Sequence, residues 1–460
     1  MALRAIGALL FTALLALFLA QPVLDSDNDG PRARPGRQPK VDASVPPAGQ
    51  VARPPERKTT RRLVTKYPKQ CLRRAEPVDA DGLVAAYQDR IVSVVAIGGT
   101  RIGTVRDVAP SVRPPIQWSP SGQYLATGPQ GLFWEPDGTR VLFANGEFSH
   151  GAVSTVPRGT WGWSPVADCT VSIESGGLFA ASVDPLVTYT GAELVRQGVE
   201  SFAFAPDGRA LGIVIAESKR RSIWVADLIA NKMTEVTRFP SPTCCVTLGG
   251  WTPDGAELLF WAASGASVSA DGWLLQSVDP ETRRVSSFTA LRVRPEFLEH
   301  CAGDLLGIVG GDRFDVGPMR LAQLRAGSAP RYLTSANESH FGFSCTPNGA
   351  LIATARGEVR DGSDQVGSAS PTEVTILRRD GSEVITLTPA GANDAAPEWG
   401  PPGTGLIFVR LSDGDATVLF AAEGRTPTAL GVSVSVPRSD YEWQQVLDWS
   451  ATPPDGLPAS

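Results

Sequence analysis

Apolar residues along this chain come in short bursts separated by turn-forming residues, not in the long stripes of amphipathic helices. Runs such as Ala210-Leu211-Gly212-Ile213-Val214-Ile215, Glu257-Leu258-Leu259-Phe260-Trp261 and Glu373-Val374-Thr375-Ile376-Leu377 hold the β-branched and aromatic residues that strands favour. The last is followed by Asp380-Gly381 and then Glu383-Val384-Ile385-Thr386-Leu387, which together predict a hairpin. The elements expected are therefore short antiparallel strands joined by tight turns.

The turns recur in register. The copies read Trp118-Ser119-Pro120-Ser121-Gly122, Trp163-Ser164-Pro165, Phe204-Ala205-Pro206-Asp207-Gly208, Trp251-Thr252-Pro253-Asp254-Gly255, Cys345-Thr346-Pro347-Asn348-Gly349 and Trp399-Gly400-Pro401-Pro402-Gly403. A seventh, eroded copy at Cys301-Ala302-Gly303-Asp304 fills the one double-length gap. Successive starts differ by 45, 41, 47, 50, 44 and 54 residues (163−118, 204−163, 251−204, 301−251, 345−301, 399−345). Proline presets φ, Asp or Asn caps the turn backbone, and Gly closes it. A period in the forties is the length of one four-stranded blade. The fold class expected is an all-β propeller. Seven blades is the preferred count, with six or eight as alternatives. The motif aromatics Trp118, Trp163, Phe204, Trp251 and Trp399 recur where blades pack, so they are read as core and not as a sugar-stacking platform.

These residues resemble the WD40-like repeats of the TolB propeller family, whose unit runs aromatic-Ser-Pro-Asp-Gly, strand, then a hairpin ending near Leu-Thr. Tyr332-Leu333-Thr334 and Thr386-Leu387-Thr388 match that ending. The resemblance covers roughly residues 90 to 449 and implies a propeller outside the cytoplasm. The α/β domain that precedes the propeller of TolB itself has no counterpart here, because a Pro- and Arg-rich stretch occupies its place.

Closure of the ring has a candidate in the ends of the repeat region. Ile91 to Ile97 and Arg101 to Val108 read as a hairpin around Gly98-Gly99, and Val446-Leu447-Asp448-Trp449 reads as a lone inner strand. If the two ends share a blade, no edge is left open and the count becomes eight. If the hairpin only covers an edge, the count is seven.

Residues 1–24 hold an apolar run, Ala5 to Ala20, read as a signal peptide or an uncleaved membrane anchor. Residues 25–75 read as a disordered basic tether, with 13 basic and 5 acidic side chains, a charge of +8. With Arg4 that leaves −15 on residues 76–460, because the whole chain carries −6. An acidic propeller, residues 76–450, argues against nucleic acid as a partner. Residues 451–460 read as a short tail. The expected location is extracytoplasmic, anchored or secreted. The basic residues Arg32, Arg34, Arg37 and Lys40 leave a cytoplasmic, anchored propeller as the alternative.

Candidate chemistry is sparse. The three histidines His150, His300 and His340 precede repeat motifs and are the candidates for a channel site of lyase or lactonase type. Their offsets differ, and no clustered carboxylate or His-x-His supports them, so no metal and no cofactor is expected. No Gly-x-Ser-x-Gly elbow occurs, which removes the serine-hydrolase reading. Six cysteines stand at 71, 169, 244, 245, 301 and 345, none in the CxxC spacing of a zinc site. Cys301 and Cys345 share a repeat position in adjacent blades and form a candidate disulfide, against the alternative of two buried thiols. The expected function is a non-catalytic, monomeric binding module for a protein or envelope polymer. The long loops 356–371 and 263–271 are its candidate contact surface.

Overall fold

The computed structural model describes residues 59–449 apart from segments 77–82, 106–115, 128–131, 135–140, 144–160, 183–191, 241–244, 264–273, 311–316, 360–371 and 437–446, and the short gaps 90, 100, 123, 218–219, 390, 402–403, 413 and 423–424. The expectations for residues 1–24, for the tether up to residue 58, for His150, for Cys244 and for the tail lie outside the described residues. So do the centres of the two long loops.

Each repeat lays down an antiparallel meander whose order in space is its order in sequence. Blade II consists of Trp161–Trp163, Cys169–Glu174, Gly177–Ser182 and Ala192–Val195. Blade III follows with Val199–Phe204, Ala210–Glu217, Arg220–Asp227 and Lys232–Pro240. Blades VI and VII repeat the plan from Ser339–Cys345 and from Asp394–Trp399. Blades IV and V are fused into one seven-stranded sheet, because the strand Val285–Cys301 serves as the outer strand of one and the inner strand of the other. Blade I consists of two strand pairs, Ile116–Trp118 with Leu125–Thr127 and Leu132–Trp134 with Val141–Phe143. The chain is a β-propeller.

The chain ends share a further blade. Leu447–Trp449 pairs with Leu83–Gln88, which continues into Ile91–Ala96 and Arg101–Val105. The closing clasp weighed from the sequence is therefore present. The repeats supply seven units, and the shared sheet stands between the seventh and the first. Its core joins Val84, Val94 and Trp449 to Trp118 of blade I and to Ile407 and Val418 of blade VII, so closure is a packed interface on both sides.

The motif forms the turn that its residues dictate. The amides of Gly122, Gly208, Gly255 and Gly349 donate to the carbonyls three residues earlier, at 2.7–2.9 Å. Asp254 Oδ1 accepts from Thr252 Oγ1 and Ala256 N, and Asn348 Oδ1 accepts from Thr346 Oγ1 and Ala350 N. Two of the glycines have a second duty. Gly208 and Gly349 adopt φ of 69° and 64°, and a Cβ there would lie 2.5 Å from Val166 and from Ala302 respectively, so each turn abuts that of the preceding blade.

Alternation of direction puts all motif turns, together with the turns between the third and fourth strands, at one end of the ring. The connections between second and third strands, where 264–273 and 360–371 belong, leave from the opposite end.

One expectation is corrected. The tether does not run loose to residue 75, because residues 59–76 are built onto the ring. Thr60–Arg62 adds a fifth strand to the outer edge of blade III. Val64 N and Thr65 N then donate to Leu194 O and Glu193 O of blade II. Leu63, Tyr67 and Cys71 are buried in the core between these blades, and Cys71 is disulfide-bonded to Cys169. Composition concealed this, since three buried side chains set among prolines and basic residues give no period.

Candidate functional site

The inner strands line the ring axis, and there the structure shows a graded series of contacts from blade to blade. In four blades the motif aromatic faces a leucine of the next strand: Trp118 with Leu125, Phe204 with Leu211, Trp251 with Leu258 and Trp399 with Leu406. In blade V the equivalent pair is His300 with Leu305, because a two-residue turn at Ala302-Gly303, with φ of 46° and 87°, replaces the longer motif turn. The eroded repeat is thus displaced by one residue. His300 holds the aromatic position, and Cys301 falls one place beyond it.

That register explains a cluster the sequence did not single out. The residue before the motif position is Glu299 in blade V, Ser344 in VI, Glu398 in VII and Asp448 in the terminal blade. Each accepts a hydrogen bond from the backbone of the next blade. Glu299 Oε1 accepts from Cys345 N (3.2 Å), Ser344 Oγ from Trp399 N (2.8 Å), Glu398 Oε1 from Trp449 N (3.1 Å) and Asp448 Oδ2 from Trp118 N (2.6 Å). Burial pushes the carboxyl of Glu299 up to about 8 and that of Asp448 up to about 7. Glu398 is raised well above the usual carboxylate range, first by burial and then by the charges of Asp448 and Glu299. Only a comparison of one repeat with the next could have shown these acids in the sequence, because they lie one or two blade lengths apart.

The other side of the ring uses different bonds. Trp163 Nε1 donates to Gln117 O, and Trp251 Nε1 donates to Ala203 O, each at 3.1 Å across a blade junction. Asp168, raised by burial, accepts from Ser121 N in the motif turn of blade I. The ring nitrogen Nε2 of His300 lies 2.6 Å from Trp251 O, and the packing around it lowers its pKa.

Of the candidate histidines, His300 and His340 are described, and the structure does not bring these two together. His300 sits at the motif-turn end of its strand and is engaged with blade IV. His340 stands near the other end of the Ser339–Cys345 strand, fully buried. Its Nδ1 lies 3.0 Å from Thr354 Oγ1, and that hydroxyl donates to Gly342 O, so Nδ1 is the donor of the pair. Its Nε2 approaches Glu338 at 3.5 Å. The two rings have no partner in common, and neither belongs to the group of potential metal ligands found among the described residues. The motif aromatics behave as core: Trp118, Trp163 and Trp251 are buried. Cys301 and Cys345 are joined in a disulfide across blades V and VI, as their candidate pairing anticipated.

No family model matches this chain. No curated protein matches it either. Among solved structures it is similar to the dihydro-heme d1 dehydrogenase NirN, at 11% identity and a TM-score of 0.50, over 81% of this chain and 80% of that one. A eukaryotic initiation factor aligns at 13% identity and a TM-score of 0.48, over 81% of this chain and 99% of that one. TolB from Acinetobacter baumannii aligns at 17% identity and a TM-score of 0.32, over 68% and 77%. At these identities the likeness is one of fold.

Proposed function

We propose that this protein is a non-catalytic binding module outside the cytoplasm, which engages a protein or an envelope polymer through the face opposite its motif turns. The observation that carries the reading is the use already made of the polar groups on the ring axis. Glu299, Ser344, Glu398 and Asp448 each hold the backbone of the following blade, and His300 contacts the preceding one. A general base is placed to reach a substrate proton, whereas the position of each of these groups is set by a hydrogen bond at a blade junction. At the motif-turn face the described motif turns are short and capped, and the strap 59–76 closes over blades II and III. The connections 264–273 and 360–371 join second and third strands at the other face, and loops on a rigid scaffold are where recognition concentrates.

Two disulfides, Cys71–Cys169 and Cys301–Cys345, fit an oxidising compartment. Among the described residues no helix is long and apolar enough to cross a membrane, so anchoring through residues 1–24 stays part of the proposal.

Photo-crosslinking in the producing cell tests the reading. A crosslinking residue in place of Glu358, exposed at the loop face, is expected to trap one defined species. The same residue in place of Asp254, exposed on a motif turn, is expected to trap none. Crosslinks confined to the Asp254 position, or none from either, would overturn the proposal.

A further inference from the structure

Glu299 stands in an unusual place for a carboxylate. Its Oε1 lies 3.4 Å from Cys345 Sγ, and the carbonyl oxygen of His300 lies 3.6 Å from the same sulfur. With Cys301 and Cys345 oxidised to a disulfide, neither sulfur carries a proton to donate, so two oxygens face a sulfur that offers them nothing. Among the described residues, the amide of Cys345 is the hydrogen-bond donor to the Glu299 carboxylate. Yet Glu299, Cys301 and Cys345 place one ligand atom each within 4.8 Å of one another. Two sulfurs and a carboxylate oxygen that converge at this separation are a donor set for a tetrahedral, thiophilic divalent ion.

We propose that Glu299, Cys301 and Cys345 form a zinc-type metal site that alternates with the Cys301–Cys345 disulfide. A dithiol reductant supplies two electrons and two protons to the cystine, the S–S bond breaks, and the reductant leaves as its own disulfide. Zn²⁺ then displaces the two thiol protons, and two thiolates and the Glu299 carboxylate hold it, with the fourth position open to water. The ion bridges the same two blades that the disulfide bridges, so the V–VI junction stays tied in both states. The pattern escaped the sequence because its halves come from neighbouring blades, 44 residues apart, and not from a local CxxC. The register shift of blade V sets the geometry: it carries Cys301 past the motif position, while Glu299 takes the inner place that Ser344 and Glu398 fill in the next two blades.

The test uses the full chain with Co²⁺ as a spectroscopic stand-in for Zn²⁺. After reduction with a phosphine, titration is expected to give one equivalent of tightly bound Co²⁺ with sulfur-to-metal charge-transfer absorption; the oxidised protein gives none. Glu299→Gln keeps that absorption but weakens binding at least about tenfold, the usual scale for losing a supporting group at a metal site. Cys71→Ser with Cys169→Ser retains the absorption, and Cys301→Ser with Cys345→Ser abolishes it. As a check independent of any variant, Zn²⁺ raises the melting temperature of the reduced wild-type protein and leaves that of the oxidised protein unchanged. No charge-transfer band in the reduced wild type would overturn the site, as would unaltered affinity in Glu299→Gln, or a band that follows Cys71 and Cys169.

Discussion

The two halves of the ring hold their blades together by different chemistry. From blade V round to blade I, a side chain one place before the motif position reaches forward and accepts the backbone N–H of the next blade: Glu299, Ser344, Glu398, Asp448 in turn. From blade I to blade IV that position holds Gln117, Gly162 and Ala203, and tryptophan indoles reach back to accept the joining role, as Trp163 and Trp251 do. The junction of blades II and III has neither device. Gly162 has no side chain to reach forward with, and Phe204 has no indole N–H to reach back with. This is the junction that the strap covers, with Thr60–Arg62 on blade III, Thr65 on blade II and Cys71 bonded to Cys169. The N-terminal segment does for one seam what inner-strand side chains do for the others.

The clasp is the closure on which the ring depends most. Deleting the residues after Val436 removes Leu447–Trp449, hence the inner strand of the shared blade and the buried Trp449. The expected loss is at least about 4 kcal/mol, the scale of removing one buried tryptophan side chain. Thermal denaturation should show a sharply lower melting temperature. An unchanged melt would mean that the terminal blade is not a structural part of the ring.

Next in size is the strap. Replacing Cys71 and Cys169 together by Ser removes a cross-link that closes a loop of 98 residues, and the expected cost is about 2–5 kcal/mol. Denaturant melts of the full chain measure it. A cost no larger than experimental scatter would show that the II–III seam holds without its strap.

The paired acids of the carboxylate half have a pH signature of their own. Asp448, held at about 7 in the fold, and Glu398, raised beside it, release their protons near pH 4 when unfolded. Above that pH the unfolded chain binds fewer protons than the folded one, so these groups make stability fall as pH climbs from about 5 to about 8. They titrate as a pair, and the decline belongs to both. Asp448→Asn with Glu398→Gln keeps an acceptor for Trp118 N and Trp449 N and should flatten this decline. A pH slope unaltered by the double variant would assign it elsewhere.

The smallest effect lies in the motif turns. Asp254→Ala removes an acceptor of Thr252 Oγ1 and Ala256 N on an exposed turn, for an expected loss of about 1 kcal/mol. A loss several times larger, seen in the same denaturant melts, would mean that the turn anchors more than its own hairpin.

What the sequence made legible follows the same division. The repeat and its turns were readable because period and local turn chemistry are properties of neighbouring residues. So was the clasp, as a hairpin and a spare strand at the two ends of the repeat region. The inner-strand acids were not, since Glu299, Glu398 and Asp448 look like scattered charges until the blades are laid side by side. The displacement of blade V, which puts His300 in an aromatic's place, depends on the length of one turn. The strap was hidden by its own composition, and its disulfide by the 15 pairings that six cysteines allow.

If the strap holds the II–III seam, its loss loosens that seam alone, which hydrogen exchange resolved along the full chain measures. In the Cys71→Ser, Cys169→Ser protein, amides of residues 59–76, 161–182 and 192–240 should exchange faster than in the wild type, while blades VI and VII keep their protection. Protection lost evenly around the ring, or retained at the seam, would show that the strap does not hold it.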